Sequence, residues 1–175
     1  MDFDVVASTG SPGGYDAHYS ADTVRHIQVM QERGMAQARS GDHQALATLD
    51  ELAARTKGSQ TPWFWAIAVE AKARALAILG DVDGAIAVAA QAANAYRTAH
   101  DPQSAATVHR FAAQLLISQG RIKSAAKLLR KVERSARDDH RTKRAVAVEL
   151  ADCLTILGQK RLAAAARARA GNAQR

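Results

Sequence analysis

The sequence has little of what most fold classes need. A single cysteine, Cys153, stands in 175 residues, which excludes an intrachain disulfide framework and any zinc or iron-sulfur site built on several thiolates, and suits a reducing compartment. Three prolines leave long segments unbroken, and three Phe, three Tyr and two Trp are too few for the aromatic and β-branched pairs that hold sheets together. No apolar run approaches the roughly 18 residues of a spanning helix, and Asp2 and Asp4 give the start of the chain the wrong sign for a signal peptide. The expectation is a soluble, cytoplasmic protein with no membrane partner.

Catalytic patterns are also missing. The histidines, His18, His26, His43, His100, His109 and His140, show neither the i, i+4 spacing of a helical metal pair nor a His-Glu-x-x-His arrangement. Cys153 lies in the apolar stretch 148–157 beside Asp152, whose charge raises a thiol pKa, so it reads as a buried structural residue. Gly10-Ser11-Pro12-Gly13-Gly14 is not followed by the Lys-Ser/Thr of a phosphate loop. Asp50-Glu51 and Asp138-Asp139 are sequence neighbours whose side chains diverge on a helix, and the second pair suits a helix cap. The expectation is a protein that is not an enzyme and carries no cofactor and no metal.

What the chain does have is alanine, which makes up almost half of its 47% hydrophobic content. Alanine is the best helix former and the smallest side chain that still buries apolar surface, so the core must come from close approach of helix backbones. Four glycines, Gly41, Gly80, Gly120 and Gly158, punctuate the sequence at near-constant intervals. Each ends a helix-forming segment, and three are followed five residues later by a small residue, Ala85, Ala125 or Ala163. A glycine that accepts the left-handed conformation ends one helix and lets the next begin at once. Thr61-Pro62 and Asp101-Pro102 place a capping residue before a proline suited to the first helical turn. The pattern predicts helices at about 20–39, 42–56, 62–79, 82–99, 102–119, 122–137, 140–157 and 160–170, with Ser20 capping the first. Residues 1–19 read as a flexible leader and 171–175 as a disordered tail.

These repeats resemble the tetratricopeptide repeat family. In residues 76–86 the Gly80-Asp81 turn, the apolar Val82 and the small Ala85 sit where that family has its turn and its inter-helix contact, and Gly34, Ala73, Ala113 and Ala151 supply a small residue seven positions before each turn glycine. The spacing is longer than the family's unit of about 34 residues. Met30, Val69, His109 and Ala147 replace the aromatic of the first helix. In the first hairpin Leu46 stands where the small residue is expected and Ala45 comes one position early. Degenerate units of this longer kind are similar to the helical-repeat sensor regions of bacterial transcription regulators. The resemblance implies an all-α fold over 20–170, four antiparallel hairpins stacked as a short right-handed TPR-like α-solenoid. It implies a non-catalytic scaffold for a protein or peptide partner, such as a regulatory module of such a system.

In that geometry the first helix of each hairpin lines a concave groove. Its groove positions, ten and six residues before each turn glycine, are Gln31 and Met35, Glu70 and Arg74, Arg110 and Gln114, Val148 and Asp152; this polar, mixed set suits a peptide, and equally an ordinary solvated face. Trp63-Phe64-Trp65 point about 100° apart on a helix, so Trp63 and Trp65 are candidate aromatic anchors, or packing between the first two hairpins.

Charge divides the chain. Residues 1–100 carry 8 Lys/Arg and 11 Asp/Glu, residues 101–175 carry 16 and 6. Lys123, Lys127, Arg130, Lys131 and Arg134 form one helical stripe, continued by Arg137, Arg141, Lys143 and Arg144, with no aromatic interleaved. Such a stripe is either a solvated face or a surface for non-specific, salt-sensitive contact with nucleic-acid phosphates, the alternative function. Leu162 and Ala163 to Ala166 give the last helix an apolar side that suggests a homodimer.

Overall fold

The computed structural model describes residues 21–58, 61–135 and 139–172; the leader, Ser20, Arg137 and the last three residues lie outside them. Eight helices run through the described residues: α1 (Ala21–Arg39), α2 (Gln44–Lys57), α3 (Pro62–Ile78), α4 (Val82–Thr98), α5 (Pro102–Ser118), α6 (Ile122–Ser135), α7 (His140–Ile156) and α8 (Lys160–Asn172). Their ends fall within two residues of those expected from the glycine and proline signals. Gly171 and Asn172, expected in the tail, instead complete α8.

The turn glycines act as the sequence implies. Gly41, Gly80, Gly120 and Gly158 adopt φ of 76°, 90°, 70° and 73°. At each, the following residue donates its N–H to a carbonyl five positions back: Asp42 to Gln37, Asp81 to Leu76, Arg121 to Leu116 and Gln159 to Leu154. This bond satisfies a carbonyl that the helix end leaves open. The same turn closes α4 without a glycine, since His100 has φ 57° while Asp101 N–H reaches the Tyr96 carbonyl at 2.9 Å. A side chain at that φ costs about 1–2 kcal/mol, and glycine returns about half of the gain as backbone entropy. His100→Gly is therefore expected to raise stability by up to about 1 kcal/mol, read as a higher denaturation midpoint; a lower midpoint would show that the imidazole makes a stabilising contact.

Aspartates start several helices. Asp81, Asp101 and Asp139 each accept from the backbone N–H three residues on, at 2.9–3.0 Å. Burial pushes the Asp139 carboxyl up, but hydrogen bonds from Thr142 and the Arg141 backbone outweigh it and hold the group below the usual carboxylate range. Thr61 departs from expectation: its side chain makes no capping bond, and the helix starts with the fixed φ of Pro62 and the Phe64 N–H on the Thr61 carbonyl.

The small residues let consecutive helices touch. Gly34, Ala73, Ala113 and Ala151 are buried, as are Ala85, Ala125 and Ala163. In the first hairpin it is Ala45 that is fully buried and Leu46 that lies at the edge of the core. The backbone explains the shift of one: Ala45 N–H donates to a carbonyl three residues back, whereas Ala85, Ala125 and Ala163 donate four back. The tighter first turn brings Ala45 inward one residue early.

Each helix packs on its neighbours in sequence, and two pairs of successive first helices also meet, α1 with α3 and α5 with α7, whereas α3 and α5 make no comparable contact. Among the described residues the second helices, α2, α4, α6 and α8, make no comparable contacts with one another. The first helices therefore form the inner side of the stack and the second helices its outer side. The core runs through it as three adjoining blocks, the middle one built chiefly from alanines of α3, α4 and α5 around Tyr96 and Val108.

Candidate functional site

Four of the expected groove residues, Glu70, Arg74, Arg110 and Gln114, are already engaged within the stack. On α3 the Glu70 carboxylate accepts from Arg74 at 2.7 Å and from the Tyr96 hydroxyl of α4 at 2.7 Å. The Arg74 guanidinium lies 4.9 Å from the centre of the Phe111 ring on α5, within cation–π range. Burial first, and then the Glu70 carboxylate, hold the Tyr96 phenol far above its usual pKa. On α5, Arg110 and Gln114 both donate to Glu149 of α7, at 2.7 and 3.2 Å. The Glu149 hydrogen bond favours the charged guanidinium and, against partial burial, raises the Arg110 pKa. Glu70 with Arg74, and Arg110 with Gln114, thus form two polar clusters in one strip, joined from α3 to α5 by the Arg74–Phe111 contact and from α5 to α7 by Glu149.

The remaining candidates scatter around it. Gln31 is half-buried on α1, and Met35 packs against the core of the first hairpin. Val148 is exposed, and Asp152 turns toward α8, 3.6 Å from Arg167. Of the aromatic triplet, Phe64 is buried in the first core block and Trp65 packs against the second. Trp63 is 39% exposed, edge-on to Phe64, and donates its indole N–H to Asp101 at 3.1 Å. The triplet mainly joins hairpins, and Trp63 alone keeps an open face. Lys123, Lys127, Arg130, Lys131 and Arg134 are all exposed, opposite buried Ala125, Leu129 and Val132. On α8, Ala163, Ala166 and Ala170 are buried in the stack, whereas Leu162, Ala164 and Ala165 are exposed, so the apolar stripe is divided between the core and the surface.

Tyr96, Phe111 and Glu149 were not among the expected site residues. One signal for Glu149 lay in the repeat itself. A stack brings residues about one period apart into contact, and the pairs Trp63–Asp101, Asp83–Arg121 and Arg110–Glu149 are each separated by 38 or 39 positions. Complementary groups at that spacing were readable as pairs.

Four helical hairpins, four equivalent left-handed glycine turns and small residues at each inter-helix contact settle the architecture. The fold is a TPR-like helical repeat. No family model matches the chain, and no curated protein does. Among solved structures, the TPR-like repeat overlaps a Podosopora anserina putative kinesin light chain with nearly identical TPR-like repeats at 17% identity and a TM-score of 0.36, covering 85% of this chain and 95% of that one. A single-substitution variant of that protein gives 16% and 0.37, covering 90% and 97%. Overlaps this loose leave the assignment resting on the chain's own turns and contacts.

Among the described residues, no group of three or more His, Cys, Asp or Glu is placed to hold a metal ion, and no helix is long and apolar enough to cross a membrane. Cys153 is fully buried, and burial, then Asp152 and Glu149, push its thiol pKa up. Such a thiol is a poor nucleophile.

Proposed function

We propose that this TPR-like repeat is a non-catalytic scaffold that binds a protein or peptide along the inner side of the stack. The observation that carries the reading is the strip of Glu70, Arg74, Arg110 and Gln114, held by Tyr96, Phe111 and Glu149 across three successive first helices. Side chains already fixed by one another lose little entropy when a ligand arrives, and carboxylate, guanidinium and amide at repeated spacing match the alternating polar groups of a peptide. A regulatory role in a bacterial transcription system, in the cytoplasm, is the narrower form of this proposal and rests on the sequence resemblance.

The test is capture of partners from lysate at moderate salt, with and without nuclease, by the wild-type protein and by Arg74→Gln and Arg110→Gln. The expected result is a discrete protein that survives nuclease and is lost with both variants while their melting remains cooperative. Recovery of nucleic acid alone, removed by nuclease and indifferent to both substitutions, would overturn the proposal in favour of the basic half of the chain.

A further inference from the structure

The outer side of the stack holds two equivalent clefts whose chemistry differs. One lies between α2 and α4 and is floored by α3; the other lies between α6 and α8 and is floored by α7. Each encloses about 210 Å³. Three positions of their linings correspond: Ala54 and Glu133 stand thirteen residues after Gly41 and Gly120, Gln91 and Arg169 stand eleven after Gly80 and Gly158, and Lys72 and Leu150 stand eight before Gly80 and Gly158. At the intervening position the outer side is occupied by the buried His109, with Arg97 and Lys131 close by.

The first cleft has a mixed rim, where Lys72 is paired with Asp50. In the second, Leu150 and Leu154 lie at the base almost wholly covered by their neighbours, Leu162 at the edge is left 52% exposed, and three arginines, Arg130, Arg134 and Arg169, stand around it. Glu133 is the single acidic residue on α6, and Arg169 takes both its oxygens, at 2.8 and 3.3 Å. Arg130 and Arg134 are left with no acidic partner among the described residues. The helices flanking this cleft carry nine Lys/Arg and one Glu, whereas those flanking the first, α2 and α4, balance three Lys/Arg against three Asp/Glu.

From this contrast we infer that the α6–α8 cleft is a second binding site, for an acidic polypeptide segment that sets a leucine-like side chain on Leu162 and carboxylates against Arg130 and Arg134. Charge complementarity names the acidic character, since unpartnered guanidinium groups offer forked donors to carboxylates. The open Leu162 beside the arginines separates a peptide from a nucleic-acid backbone, which has no apolar side chain to place on it. Glu133 restrains the site internally by occupying Arg169.

A labelled synthetic peptide of alternating glutamate and leucine pairs tests this by fluorescence anisotropy, beside the same peptide with serine for leucine and a labelled duplex DNA. Arg130→Glu with Arg134→Glu is expected to weaken the leucine peptide about tenfold or more, the effect of reversing two exposed charges. Leu162→Ser is expected to weaken it about threefold, as loss of part of an apolar contact should. Glu133→Gln, which frees Arg169, is expected to tighten it, and Arg74→Gln on the inner side is expected to leave it unchanged. Arg130, Arg134 and Leu162 are exposed, and circular dichroism melting checks that each variant folds. Equal weakening by Lys123→Glu with Lys127→Glu would overturn the site in favour of a diffuse basic field. Equal affinity for the serine peptide, or tighter DNA binding indifferent to Leu162→Ser, would overturn the peptide assignment. An absence of binding by the leucine peptide at low salt would overturn it as well.

Discussion

Gly34→Ala is expected to lower stability by about 1–2 kcal/mol, against the usual direction for such a change in a helix. In an exposed helix, alanine for glycine gains about 1 kcal/mol. At position 34 the added methyl would stand 2.6 Å from Cγ and 2.7 Å from Cδ2 of Leu49, well inside the ordinary carbon contact of about 3.5–4.0 Å. Leu49 is fully buried between α1 and α2 and packs with Leu52, Phe64 and Ala68, so it has no open direction in which to swing. Overpacking of this kind costs about 1–3 kcal/mol and outweighs the propensity gain. A double-mutant cycle makes the cause specific. In a Leu49→Ala background, itself destabilised by about 2–5 kcal/mol, Gly34→Ala should become neutral or stabilising. Additive losses in the double variant would show that the methyl meets something other than Leu49.

The second large effect is acid sensitivity centred on His109. Its side chain is 8% exposed on α5, with no hydrogen-bond partner for Nε2 among the described residues. Burial first, then Lys131 on α6 and Arg97 on α4, push its pKa down to about 4. The folded protein therefore holds the imidazole neutral at pH values where the unfolded chain, with a pKa near 6.5, has already taken a proton. Stability is full above about pH 6.5 and falls as the pH drops from there toward about 4, by a total of about 3 kcal/mol. Denaturant midpoints of wild type and His109→Leu, compared from pH 7.5 to 4.5, isolate this contribution from that of the carboxylates. The two curves are expected to diverge below pH 6.5, with the leucine variant the flatter. Parallel curves would mean that the imidazole reaches solvent or a partner when charged.

His109 also marks where sequence and structure part company. From sequence it is one of six scattered histidines, and it falls at a position where the resembling family carries an aromatic ring. Burial and the flanking cations come from three helices brought together, a convergence that no local pattern expresses. Trp63-Phe64-Trp65 shows the same limit. Helical geometry requires the three rings to diverge, but which of them enters the first core block, which the second, and that Trp63 caps its exposure with a bond to Asp101, depends on the neighbouring hairpins.

The sequence by itself determined the eight helices, their ends and the hairpin contacts, because these follow from short-range chemistry: glycine at positive φ, aspartate accepting from the N–H three residues on, proline at a first turn and a small residue wherever two backbones touch. It also determined that the basic charge gathers in the last two hairpins. Tertiary structure alone decided that Glu149 gathers Arg110 and Gln114, that Tyr96 reaches Glu70, and that α8 turns Ala163, Ala166 and Ala170 inward while leaving Leu162 beside three arginines. Those outcomes depend on the angle and spacing between stacked hairpins, which the summed packing of many small side chains sets, and not on any residue's preference within its own helix.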